Sequence, residues 1–169
     1  LYGTYIKLRS RELEAVKPKL LAVLTEAAKL KPAATPLIQR MAENYRLIGE
    51  FKAAADLYLT LLKRFPEQPA FRAQLIDLYL RGNDRKAAAG QLESVLRDNP
   101  TNPQANYFLG AIAYEERKLD QAVEHFEKAI RFAPDLEPAY YELAGARIAQ
   151  DKAADALKVL EQARGLFKA

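Results

Sequence analysis

His125 is the single histidine among 169 residues, and no cysteine accompanies it. A catalytic or metal-binding histidine needs further nitrogen, sulfur or carboxylate groups converging on one point. Here the chain offers Glu124 beside it and Glu127 nearby. Such a set argues against catalysis and predicts a solvated helix residue. The acidic pairs Glu115–Glu116 and Glu12–Glu14 have the spacing of helix surfaces. The seven glycines are dispersed, so no glycine-rich loop cradles a phosphate. Absent cysteine removes disulfides, thiolate chemistry and cysteine zinc sites, but leaves the compartment open between cytosol and bacterial periplasm. The chain therefore reads as no enzyme, with no cofactor and no metal. What remains is recognition chemistry. Tyr107 and Tyr141 stand 34 residues apart, and tyrosine joins a rigid apolar body to a polar tip.

The elements that position these residues follow the same interval. Pro32, Pro66, Pro100 and Pro134 are spaced by 34. Stepping by that period aligns Ala54, Ala88, Ala122 and Ala156. It also aligns Met41, Leu75, Leu109 and Leu143, then Tyr58, Leu92, Phe126 and Leu160, then Leu61, Val95, Ala129 and Ala163. A fixed period of this length marks repeats. Between prolines, two segments carry apolar residues at helical steps, as in Ala122, Val123, Phe126, Ala129 and Ile130. Gly49, Gly82, Asn83 and the polar run "ERKLD" mark the break inside each pair. Pro36, Pro69, Pro103 and Pro138 open first helices, where a missing N–H costs nothing. Thr35 and Asn102 have the chemistry of N-caps. Small residues let paired helices approach: Ala42, Gly110 and Ala144 on first helices, whereas Ile76 holds that place in 69–102 and predicts shifted packing.

The 34-residue unit, with its large apolar residue, Gly or Ala, Tyr, Ala, large apolar residue, Ala and Pro, resembles the tetratricopeptide repeat. Residues 103–136 match best, through Leu109, Gly110, Ala122, Phe126, Ala129 and Pro134. Residues 35–68 match through Met41, Ala42, Tyr45, Ala54, Tyr58 and Pro66, and 69–102 through Leu75, Tyr79, Ala88, Leu92 and Pro100. Residues 137–169 match through Tyr140, Leu143, Ala144, Ala156, Leu160 and Ala163, with Lys168 in the proline's place. Residues 1–34 keep Leu24, Ala27 and Pro32 and are expected to form a divergent helical hairpin, its first helix poorly matched. The resemblance implies an all-α fold, a right-handed superhelix, or solenoid, of antiparallel helix pairs. It further implies that first helices line a concave face holding a peptide or partner protein. On that pattern the lining residues are Gln39, Glu43 and Arg46; Ala73, Asp77 and Leu80; Tyr107, Ala111 and Tyr114; and Tyr141, Gly145 and Ile148. Gln39, Glu43, Arg46, Asp77, Tyr107, Tyr114 and Tyr141 are the candidate partner-binding residues. Tyr107, Tyr114 and Tyr141 are the anchors, and Glu43, Arg46 and Asp77 set charge preference.

Two special uses of the fold fit poorly. Chaperone-binding members clamp a partner's C-terminal carboxylates with Lys, Asn and Arg, but the matching places here hold Gln39, Glu43, Ala73 and Asp77. Related repeats that read RNA carry a code of polar pairs, which Gln39, Ala73, Tyr107 and Tyr141 do not supply. The net charge of +4 is mixed along the chain, and the bases of "KLKP", "LLKRFP" and "LRDNP" suit second-helix C-termini. The partner is thus expected to be protein, not nucleic acid.

No apolar run exceeds short stretches such as "LYLTLL" at 57–62, so no membrane span is expected. The start at Leu1 and the apolar last segment, without a polar capping helix, predict a piece of a longer chain. The alternative is a homo-oligomer joined through the uncapped C-terminal helix, an assembly role that needs no peptide. The alanine-, glutamine- and arginine-rich style suits a bacterial source.

Overall fold

The computed structural model describes residues 2–30 and 34–167, with side chains from Glu14 onward. Pro32 and Lys168, and the side chain of Glu12, lie outside the described residues. The described residues form helices and turns with no strand. The helices are α1 (Tyr2–Lys29), α2 (Thr35–Leu47), α3 (Phe51–Arg64), α4 (Pro69–Arg81), α5 (Arg85–Asp98), α6 (Pro103–Glu115), α7 (Leu119–Phe132), α8 (Glu137–Ala149) and α9 (Ala153–Leu166).

The expected N-terminal hairpin is instead the single helix α1, which runs through Pro18. A hairpin needs a residue that tolerates a left-handed turn, and residues 4–17 contain no glycine, asparagine, aspartate or proline. Pro18 costs a backbone hydrogen bond but does not supply that turn. The C-terminal part of α1 behaves as a second helix: Leu24 is buried, and Leu20, Leu21, Ala27 and Ala28 pack against the neighbouring core.

From α2 onward each pair is closed by one left-handed residue. Gly49 (φ 79°), Asn83 (φ 58°), Arg117 (φ 62°) and Asp151 (φ 61°) recur at the repeat interval. After each, a backbone N–H reaches back into the last helical turn: Glu50 to Tyr45, Asp84 to Tyr79, Lys118 to Ala113 and Lys152 to Arg147. That is the six-residue closure of a helix C-terminus. Gly82 is not the left-handed residue of its turn; its φ is −79°. It is small because an added Cβ would stand 3.1 Å from the Leu78 carbonyl oxygen and 3.2 Å from Phe51 Cβ. Arg117 and Asp151 take the same conformation with a side chain, at about 1 kcal/mol each.

At the helix starts, Asn102 accepts from the Ala105 N–H at 2.8 Å and caps α6. Thr35 does not cap α2. It is the first helical residue, and Ala34 occupies the cap position with no side-chain bond.

The chain divides into two compact units, 1–84 and 85–169, so α4 closes the first and α5 opens the second. The division falls within the pair 69–102, the one carrying buried Ile76 in the small-residue place. In the first unit Ile38, Met41, Ala42, Tyr45, Ala54, Tyr58, Leu61, Leu75 and Leu78 form the core. In the second, Ala113, Ala122, Val123, Phe126, Leu143 and Ala146 do so. The alanine column is buried, with Ala54, Ala88 and Ala122 all at 0% exposure. Gly110 shows why small residues are needed on first helices: a Cβ there would meet the Phe126 ring at 2.7 Å.

Candidate functional site

Each first helix has one face in the core and another reached by solvent. On α2, Met41, Ala42 and Tyr45 are buried, while Gln39, Glu43 and Arg46 keep contact with water. The same holds for Ala73, Asp77 and Leu80 on α4, Tyr107, Ala111 and Tyr114 on α6, and Tyr141, Gly145 and Ile148 on α8. None of these twelve residues is buried. Their common place follows from helical steps of three and four residues counted from the buried positions.

In the first unit this face carries charges that are closed locally. Arg46 donates from Nε to Glu43 Oε2 at 2.8 Å and from a terminal nitrogen to Oε1 at 2.5 Å. Arg81 donates from Nε to both oxygens of Asp77, at 2.9 and 2.7 Å. The bond from Arg46 holds the Glu43 carboxyl below its usual range and, in return, raises the guanidinium of Arg46. The Asp77 charge adds to that rise. Both pairs are exposed and lie within one helix, so each stabilises by at most about 0.5 kcal/mol. Gln39 sits half-buried beside them.

In the second unit the face is aromatic. Tyr107 lies edge-on to Phe108 (centroids 5.3 Å apart, 67°) and tilted on Phe126 (6.0 Å, 53°). Burial raises its phenol pKa, and the charge of Glu142 on α8 adds to the rise. Tyr114 packs on the same core, and its hydroxyl would lie 3.9 Å from a Cβ built on Gly145. Tyr141 is 53% exposed, and its hydroxyl donates to Glu137 Oε1 at 3.0 Å. That bond raises its pKa. Tyr107 and Tyr114 therefore serve core and face together, whereas Tyr141 belongs to the face. Glu137 and Glu142 are additions that sequence reasoning missed. Glu137 could have been found four residues before Tyr141, on the same helical face; the charge of Glu142 acts on Tyr107 only because the fold brings α8 beside α6.

His125 is not the solvated residue expected. It is half-buried, and its Nδ1 lies 3.1 Å from Oδ1 of Asn106, the buried polar residue of α6. A carbonyl oxygen only accepts, so Nδ1 carries the proton. Asn106 Nδ2 in turn donates to the Asn102 carbonyl at 3.0 Å. Burial lowers the His125 pKa, as does Lys128, against the opposing pull of Glu124 and Glu93. The histidine thus satisfies a buried amide between α6 and α7. Among the described residues, no group of three His, Cys, Asp or Glu is placed to hold a metal ion. No described helix is long and apolar enough to cross a membrane.

Three family models described as tetratricopeptide repeat match residues 38–67, 73–137 and 113–167. Cellulose synthase operon protein C of Pseudomonas fluorescens is 28% identical over 108 residues, 64% of this chain and 8% of that protein. The mouse BBSome complex member BBS4 is 26% identical over 134 residues, 79% of this chain and 26% of that protein. The chain thus spans a small part of the curated relatives it matches. Solved structures of MamA share the fold. One superposes with a TM-score of 0.70 at 20% identity, covering 96% of this chain and 91% of the other. Another, from Desulfovibrio magneticus RS-1, gives 0.67 at 22%, covering 98% and 97%.

Proposed function

The chain belongs to the tetratricopeptide repeat family, whose members are interaction modules, and on that premise we propose that it is a non-catalytic scaffold or adaptor that holds a peptide or partner protein on its first-helix face. The observation that carries this reading is the open aromatic surface of α6 and α8. Tyr141 stands 53% exposed above a core it does not complete, with Tyr107 and Tyr114 on the neighbouring first helix. Aromatic residues of that kind dominate binding energy in protein interfaces. A protein partner suits this face better than nucleic acid, because its charged groups on α8 are the carboxylates of Glu137 and Glu142.

The test is site-specific photo-crosslinking in the organism of origin. A photoreactive side chain at Tyr141 or Ile148 should capture a protein that the same group at exposed Glu161, on α9, does not. Capture from Glu161 alone would defeat the reading.

A second reading is self-assembly. It is favoured by Leu157 and Leu166 on α9, exposed at 58% and 54%. Sedimentation over a range of concentration decides it: a mass that stays monomeric removes this reading.

A further inference from the structure

We infer that the α6–α8 face selects a cationic segment of its partner, seating a lysine or arginine side chain against Tyr107, Tyr114 and Tyr141 with Glu137 and Glu142 as counter-ions. This rests on the first-helix face being the binding surface, and adds the chemistry of what it takes.

Four observations support it. First, the carboxylates lack cations among the described residues. Of the described side chains, Glu137 receives the neutral hydroxyl of Tyr141, at 3.0 Å, and Glu142 is in no described ion pair. The basic residue of α8, Arg147, is engaged elsewhere, donating to Glu127 on α7 at 2.5 Å and to Gln150 at 3.3 Å. Second, tyrosine hydroxyls are engaged with those carboxylates or feel their charge. The Glu142 charge acts on the Tyr107 phenol, and Glu137 holds the hydroxyl of Tyr141. A cation over a tyrosine ring gains from the ring quadrupole as well as from the carboxylates. Third, the floor is low. Ala111 lies between Tyr107 and Tyr114 on α6, and Gly145 follows Tyr141 by one helical turn on α8, where a Cβ would lie 3.9 Å from the Tyr114 hydroxyl. Fourth, the local charge differs from the whole. Residues 85–169 have 12 Lys and Arg against 13 Asp and Glu, whereas residues 1–84 have 14 against 9. A basic ligand attracted to a protein of net charge +4 must be drawn by a local feature.

The lack of tryptophan makes the test direct. Three peptides, each a Gly-Ser chain with one tryptophan and spaced Arg, Gln or Glu residues, are titrated into the intact protein. Tryptophan emission reads affinity, and amide chemical shifts map the site. The arginine peptide should bind at least about fivefold more tightly than the glutamine peptide. It should shift amides around Tyr107, Tyr141 and Gly145, and weaken in about 0.5 M salt. Glu137→Gln with Glu142→Gln should remove the preference for arginine while leaving the fold intact, both positions having contact with solvent. Equal binding of all three peptides at these amides would overturn the cationic selection and leave the first-helix face standing. Arginine binding that maps away from α6 and α8, or survives the double substitution, would overturn it as well, as would the absence of any arginine-peptide binding. The face itself is judged separately by the crosslinks at Tyr141 and Ile148.

Discussion

The first-helix faces of the two units occupy equivalent repeat positions yet use their side chains in opposite ways. On α2 and α4, Glu43 and Asp77 are closed by Arg46 and Arg81 of the same helix. On α6 and α8, Ala111 and Gly145 take those two places, tyrosines hold neighbouring positions of the face, and Glu137 and Glu142 have no described cation. The fold demands only the buried side of each first helix. The open side is free to be neutralised in place or left for a partner, and the contrast teaches which half has unspent interactions.

The comparison can be broken most forcefully at Tyr107. If it serves the core as well as the face, Tyr107→Ala should cost about 2–3 kcal/mol through lost contact with Phe126 and Phe108. Tyr141→Ala should stay within about 0.5 kcal/mol, as an exposed residue should. Urea unfolding followed by circular dichroism reads both, and equal losses would erase the distinction between dual and open tyrosines.

Next comes the backbone beneath that face. Gly110→Ala gains helix propensity but drives a Cβ to 2.7 Å from a fully buried ring. The clash should win, lowering stability by about 1–2 kcal/mol. A rise in the unfolding midpoint would show that α6 and α7 separate without cost.

In the first unit, Arg46→Ala should change stability by no more than about 0.5 kcal/mol. Its signature is the Glu43 carboxyl, which should titrate at higher pH once the bond is lost, as read by carboxyl NMR. No movement would mean the pair is not formed in solution.

The smallest effect expected is at His125. Its folded-state pKa is lowered below 6.5, chiefly by burial. Its contribution is therefore complete above the unfolded value and lost as pH falls through the folded one. Unfolding midpoints should decline on moving from neutral pH toward acid, and His125→Asn should flatten that part of the profile. An unchanged slope would place the histidine in solvent after all.

Much of this was legible in the residues. The prolines, the alanine column and the large apolar columns act through local sterics, so helix pairs from 35 onward could be read without coordinates. The twelve solvent-reached positions follow from the tetratricopeptide pattern that the repeats resemble. Other features resisted for physical reasons. Arg117 and Asp151 adopt a left-handed turn that residue type disfavours, because closing the helix end there outweighs the local cost. Residues 2–29 stay one helix because nothing in 4–17 can turn the chain.

By itself, then, the sequence determined the period, the all-α class and which side of each helix is apolar, since these depend on neighbours along the chain. Tertiary structure alone decided that His125 answers Asn106 across 19 residues, that the charge of Glu142 reaches the Tyr107 phenol, and that Tyr107 is half core while Tyr141 is open. Those outcomes depend on distances between helices, which side-chain volumes set jointly and no single stretch encodes.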